Sequence, residues 1–334
     1  MRPAFAVAVS VLALTLALPA AVGARDTAHA AASERANTIA YWTPERIARA
    51  VPRDFERTGA GRFAAKGKPG GGGSAAVTGA SWTGNGLIET QSGRILFTMG
   101  GVDYICSGSV IDDSAVNNGY STVLSAGHCA YDSADGWATK WMYVPDFDDA
   151  PTYTCANSAF GCWTATRLAV HSRFVSAGGF DDQAVAVDFS FARVGLGGKG
   201  LVGTDELDAR THGYGLKTSG VSLTDTLWAF GYPAAGKYHG SDLVYCKGTL
   251  RNDPYGANTW GMACNMTGGS SGGPWIADST NPGTIEGKVA SLNSYGYSGL
   301  AVMFGPKFTS DTVAVQQSAI SGQTTSATAV RNLP

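Results

Sequence analysis

From Ala75 onward the sequence is a succession of short apolar or alternating runs, each ended by Gly, Asn, Asp or Ser. Arg94-Ile95-Leu96-Phe97-Thr98, Tyr104 to Ile111, Ser121 to Leu124, Leu168-Ala169-Val170, Ala184 to Val194, Thr226 to Phe230 and Ile285 to Leu292 carry the pattern. Runs of this length between turn residues read as strands, and many of them in sequence predict an all-β barrel or sandwich. Strands do not alternate with helical stretches, which argues against a doubly wound α/β sheet. The 45 glycines show no three-residue period, so collagen is excluded and tight turns account for them. Near the end, Ser310 to Ile320 reads as a helix, and residues 323–334 as a flexible tail.

The N-terminal part has a different character. Arg2 precedes an almost uninterrupted apolar run from Phe5 to Leu18, and small residues follow at Val22-Gly23-Ala24 and Ala28-His29-Ala30. A short apolar run with a small-residue exit is the pattern of an export signal, assigned to residues 1–30, rather than of a membrane span. Residues 31–75 hold no cysteine and one helix signal, in which Thr43 caps, Pro44 takes the first turn and Glu45 to Ala50 continue. Lys66-Gly67-Lys68-Pro69 and Gly70 to Gly73 then read as a flexible connector. The whole of 31–75 is therefore expected to be a propeptide with a Gly-rich linker, ahead of a domain at 76–322. With 24 basic and 26 acidic residues there is no excess positive charge to suggest nucleic acid as a partner.

Cysteine usage agrees with export. Cys106, Cys129, Cys155, Cys162, Cys246 and Cys264 make an even set, and an oxidising compartment favours disulfides. Six cysteines allow about 15 pairings, and their order does not select one. No Cys-x-x-Cys pair is present and only Cys129 adjoins a histidine, so no metal is expected. No cofactor is expected either. An acidic loop at Asp146, Asp148 and Asp149 lacks a glycine-pinned calcium pattern and reads as solvated.

Two segments carry chemistry. Thr267-Gly268-Gly269-Ser270-Ser271-Gly272-Gly273-Pro274 sets a serine among glycines, whose freedom lets the backbone turn sharply with its amides pointing at a developing oxyanion. Val123-Leu124-Ser125-Ala126-Gly127-His128-Cys129 brings a strand end into a histidine, the base a serine needs to become a nucleophile.

Ser125 to Cys129 resembles the Ala-Ala-His-Cys signature of chymotrypsin-like (trypsin-fold) serine peptidases. Gly269 to Pro274 is similar to that family's Gly-Asp-Ser-Gly-Gly-Pro box, with Ser271 at the nucleophile position. Cys106-Ser107-Gly108-Ser109-Val110-Ile111 resembles the strand whose cysteine pairs with the one after the histidine. The resemblance spans about Tyr104 to Leu292. It implies two six-stranded antiparallel β-barrels with a short C-terminal helix, a Cys106–Cys129 disulfide, and an enzyme acting on polypeptides. Cys155 and Cys162 then read as closing a local loop and Cys246 as joined to Cys264, although the sequence leaves the pairing of these four open.

The family order of His, Asp and Ser places the third member between His128 and Ser271. Asp188 heads an apolar strand, where a carboxylate can be buried against the imidazole, whereas Asp181 and Asp182 lie in a Gly-flanked polar turn. The amides of Gly269 and Ser271 are the expected oxyanion donors. Ser270 stands where trypsin-type enzymes carry an Asp that receives the freed N-terminal amine. This moves the resemblance toward secreted bacterial glutamyl-endopeptidase-like enzymes, as does Gly231-Tyr232-Pro233. Asn265 is expected near the bottom of the primary pocket, and Ser291-Leu292-Asn293 along its wall, with backbone groups of Ser291 and Asn293 available to an extended substrate. Ala290 stands where glutamyl specialists place a histidine.

Gly269 to Gly273 also satisfies the nucleophile elbow of α/β-hydrolases, but there the histidine follows the serine. All five histidines here precede Ser271. The resulting expectation is a secreted, monomeric, extracellular serine endopeptidase without a membrane anchor after signal removal. The alternative is a catalytically silent trypsin-fold binding protein.

Overall fold

Six strands of the first half close on themselves. In ladder order they are Val102–Ile111, Ser92–Met99, Thr139–Pro145, Trp163–His171, Ser190–Val194 and Ser121–Ser125, with the last returning to the first. Every neighbouring pair is antiparallel. The computed structural model describes residues 1, 20–57, 63–65, 79–147, 154–279, 281 and 287–334. Phe97, Trp141, Tyr143, Leu168, Val170 and Phe191 fill this barrel and its surroundings, fully shielded from water. Each such side chain contributes about 1.5–3 kcal/mol by leaving water.

A second antiparallel set runs in the order Lys288–Leu292, Pro274–Ala277, Thr226–Gly231, Val244–Asn252, Thr259–Ala263 and Leu300–Pro306. This set forms a half-barrel whose two ends approach each other. Ser291 Oγ donates to the Pro306 carbonyl at 2.8 Å, and Gly305 packs so tightly on the Leu292 carbonyl that any Cβ there would overlap it. One apolar cluster crosses between the halves, joining Phe97, Tyr143 and Leu124 to Phe230, Tyr232, Ile276 and Leu292. The fold is therefore the chymotrypsin-type pair of β-barrels expected from the sequence.

The C-terminal helix is Ser310–Ser321, opened by a capping box between Thr309 and Thr312 and ended by Gly322 at φ 78°. Only glycine enters that left-handed conformation without strain. The tail differs from its expectation. Thr328–Asn332 is a strand, antiparallel to Arg167–His171. The Thr139–Pro145 strand pairs with Trp163–His171 only at Trp163 and Thr164, which leaves the rest of that edge open. An open edge carries unpaired N–H and C=O groups, and the tail satisfies them.

Ahead of the barrels, Pro44–Arg49 is helical as expected, with Thr43 Oγ1 accepting from the Arg46 amide. A longer helix, Ala20–Tyr41, was not anticipated; its first turns coincide with the stretch read as a signal exit. The export signal's apolar run and the Gly70 to Gly73 connector lie outside the described residues. No helix among the described residues is long and apolar enough to cross a membrane. Disulfides join Cys106 to Cys129, Cys155 to Cys162 and Cys246 to Cys264.

Candidate active site

His128 and Asp188 hang from adjacent strands of the first barrel. The Ser121–Ser125 strand runs into a single 3-10 turn, Gly127–Cys129, that presents His128. Its ladder neighbour, Ser190–Val194, begins two residues after Asp188, and Ser190 Oγ donates to the Ala126 carbonyl at 2.7 Å. The Cys106–Cys129 disulfide fastens the far side of the histidine turn to the Val102–Ile111 strand.

Asp188 is fully buried and holds His128 twice. Its Oδ1 accepts from the His128 backbone amide at 2.9 Å, and its Oδ2 lies 2.8 Å from His128 Nδ1. The same Oδ2 accepts from Ser294 Oγ. A carboxylate accepting on that side keeps the proton on Nδ1, which leaves Nε2 as the basic nitrogen. Nε2 is buried and has no hydrogen-bond partner among the described residues. Gly127 makes the approach possible, since a Cβ there would come within 3.0 Å of Asp188 Oδ1 and 3.2 Å of the Phe174 ring. The rival Asp181 caps the short helix Asp182–Val185, accepting from the amides of Gln183 and Ala184.

Ser271 comes from the second half, in the turn just before Pro274–Ala277. Gly269 and Gly272 hold φ values of 95° and 85°, and a Cβ on Gly272 would overlap Ser125 Oγ and the Ser107 carbonyl. Ser107 ties this turn to the first barrel, its amide donating to the Ser271 carbonyl at 2.7 Å and its hydroxyl to the Gly269 carbonyl at 2.8 Å. With that carbonyl turned away, the amides of Gly269 and Ser271 donate to no protein acceptor among the described residues. Two unengaged amides beside a serine can receive an oxyanion. Ser270 closes the turn from within, its uncharged hydroxyl donating to the Thr267 carbonyl at 2.8 Å.

Both residues expected along the substrate wall are fully buried. Ser291 lies within the sheet opposite Trp275, its hydroxyl spent on Pro306. Asn293 is wholly internal: its amide donates to the Gly273 carbonyl, its carbonyl accepts from Gly272, and its side chain bridges Phe230, Ser270 and Trp275. The Asn293 groups brace the Ser271 turn, and the Ser291 hydroxyl ties the two ends of the half-barrel together. Asn265 is half-buried, and its Oδ1 accepts from the Gly79 amide at 2.7 Å and the Tyr238 hydroxyl at 2.9 Å.

Ser294 was missed because a serine in a Ser/Asn/Tyr run has no local signal; only its contact with Asp188 reveals it. Immediately after it, Tyr295–Tyr297 forms a strand. Tyr295 and Tyr297 both donate to Asp253 Oδ2 at 2.6 Å, and burial pushes the Tyr295 phenol far above its ordinary range, so it remains a donor.

Two packed β-barrels with a buried His–Asp pair on one and a glycine-framed serine on the other define the chymotrypsin-like class. Solved structures agree. The chain is similar to the protease Anisep from Arthrobacter nicotinovorans, at 31% identity over 72% of this chain and 97% of that one, with a TM-score of 0.57. It is similar to the thermostable serine protease AL20 from an extremophilic microorganism, at 31% identity over 72% of this chain and all of that one, with a TM-score of 0.57. A Glu endopeptidase in complex with MPD shares the fold, at 18% identity over 74% of this chain and 97% of that one, with a TM-score of 0.52. The chain matches no protein-family model and no curated protein sequence. The chain belongs to the chymotrypsin-like serine proteases and is a serine endopeptidase.

Proposed function

We propose that this protein is an exported endopeptidase, made as a precursor, that cleaves polypeptides through Ser271, His128 and Asp188 by way of an acyl-enzyme. The observation that carries the reading is the double hold of buried Asp188 on His128, with Nε2 left as the free basic nitrogen. His128 takes the Ser271 proton as its oxygen bonds to the substrate carbonyl carbon, and Asp188 stabilises the imidazolium. The amides of Gly269 and Ser271 receive the oxyanion. His128 then protonates the leaving amine, and a water activated by the same nitrogen releases the acyl group. Residues 1–30 act as export signal, 31–75 as propeptide and linker, and 76–322 as the peptidase domain. Three disulfides support an extracellular destination.

Ser271→Ala is expected to remove hydrolysis and labelling by a fluorophosphonate probe, lowering kcat by about 10⁶-fold as for other serine peptidases. The variant should keep its circular dichroism. Labelling of another residue, or activity in this folded variant, would refute the assignment. A silent binding protein would leave Ser271 unlabelled in the unsubstituted chain even after removal of residues 1–75.

A further inference from the structure

Residues 51–57, Val-Pro-Arg-Asp-Phe-Glu-Arg, lie across the candidate active site. Val51–Pro52 pairs with Tyr104 and Ile105, next to the Cys106–Cys129 bridge, and the Arg53 amide donates to the Ile105 carbonyl at 3.3 Å. Phe55–Arg57 then pairs with Tyr295–Tyr297, next to the Asp188 contact of Ser294, through Gly296 and Tyr297. Both pairings are parallel. The segment therefore bridges the two barrels, adding a strand to an edge of each.

Two side chains fix it there. The Phe55 ring lies 5.2 Å from that of His128 and stacks on Phe180 at 4.1 Å, in a pocket completed by Val185, Tyr295 and Phe304. Arg53 is buried, with Nε donating to the His128 carbonyl at 2.9 Å and Nη2 paired with Asp132. Between them, Pro52 and Asp54 press on Gly268, where a Cβ would come within 2.8 and 2.9 Å of theirs. With the segment in place, His128 and Ser271 are 1% and 3% exposed. Yet the Gly269 and Ser271 amides donate to no carbonyl of the segment. The segment covers the nucleophile without offering it a carbonyl to attack.

We propose that residues 51–57 are a strand-forming inhibitor, bound parallel to both cleft edges in a register that the enzyme does not cleave. The cleft is a binding site for this peptide even when the peptide is a separate molecule. The inference deepens the precursor reading above and rests on it. It assigns the blocking to seven residues, with Phe55 and Arg53 as anchors.

Two measurements test it. In the full chain, Phe55→Ala and Arg53→Ala should each raise the rate of fluorophosphonate labelling of Ser271 by about ten-fold, the change given by ~1.4 kcal/mol of lost binding. Labelling of the unsubstituted precursor at the same rate as the variants overturns the proposal. No labelling of any chain, even after processing, overturns the catalytic reading instead. Independently of any variant's folding, the synthetic peptide VPRDFER should inhibit the processed enzyme competitively and be recovered uncut by mass spectrometry. Its Phe→Ala analogue should bind about ten-fold more weakly. Cleavage of the peptide within Pro52–Phe55, or absence of inhibition, refutes the proposal.

Discussion

Ser294 shows how much a single hydroxyl can rest on its neighbours. Its Oγ donates to the Asp188 oxygen that also holds His128 Nδ1, and Asp188 is fully buried away from bulk solvent. Hydrogen bonds to charged groups contribute about 1.5–3 kcal/mol. Ser294→Ala is therefore expected to lower kcat by roughly 10- to 100-fold, with KM changed much less, because the loss falls on the orientation and charge stabilisation of His128. Steady-state kinetics on a peptide substrate read this split, and a change confined to KM would contradict the role. The same scale separates what was readable from what was not. Ser271, His128 and Asp188 each announce themselves through adjacent residues: glycines, a cysteine and an apolar strand. Ser291 and Asn293 sit in the stretch expected to form the pocket wall, but their groups turn inward. Interior and cleft positions of such a stretch differ only in what lies opposite them.

At the scale of elements, the site depends on a three-residue turn held from both sides. The strand before His128 enters the barrel ladder, and Cys129 after it is tied to Cys106 across 23 residues of chain. Closing a loop of that length stabilises by about 3 kcal/mol through the unfolded state. Replacing both Cys106 and Cys129 by Ser should lower unfolding free energy by about that amount in a denaturant titration. It should also lower activity beyond the loss in folded fraction, since the histidine turn would then be held by non-covalent contacts alone, among them those of Asp188 and Ser190. Unchanged kcat in the folded variant would mean that the bridge serves stability alone. Sequence patterning marked seven of the twelve barrel strands and, through their capping residues, the helices Pro44–Arg49 and Ser310–Ser321. It gave no signal for Thr139–Pro145, Val244–Asn252, Thr259–Ala263, Pro274–Ala277 or Leu300–Pro306. The run from Ala184 to Val194 begins in the helix Asp182–Val185 and is a strand only from Ser190. Patterning also missed a further element. It did not locate the Thr328–Asn332 strand, because its cause is an open edge of a strand more than 150 residues earlier.

Across the whole molecule, the N-terminal region is docked on the first barrel before it reaches the cleft. Arg35 is buried and donates to the carbonyls of Cys162, Gly198 and Gly200 at 2.8–2.9 Å, and Trp42 Nε1 donates to the Lys140 carbonyl at 2.7 Å. Burial lowers the Arg35 pKa to about 10, which leaves it charged at neutral pH and dependent on those carbonyls. Arg35→Ala should loosen this docking without disturbing the barrels. Limited proteolysis is expected to cut within residues 20–57 several times faster, while the denaturation midpoint of the barrels stays in place. A matching fall in both would show that the region is part of the barrel core instead.

The sequence by itself determined the class of fold, and it carries the proposed order His128, Asp188, Ser271 and the expectation of an N-terminal propeptide. Strand periodicity, turn glycines and a nucleophile motif are local properties, written within a few residues of one another. The tertiary structure decided which hydroxyl supports Asp188, that Asn293 braces the nucleophile turn, and that the cleft edge is Tyr295–Tyr297. It also decided that residues 51–57 lie on that edge. Each of these depends on groups that are not neighbours in the chain, 106 residues apart for Ser294 and Asp188 and 63 for Asn293 and Phe230, where hydrogen-bond geometry and burial, rather than neighbouring sequence, select the partner.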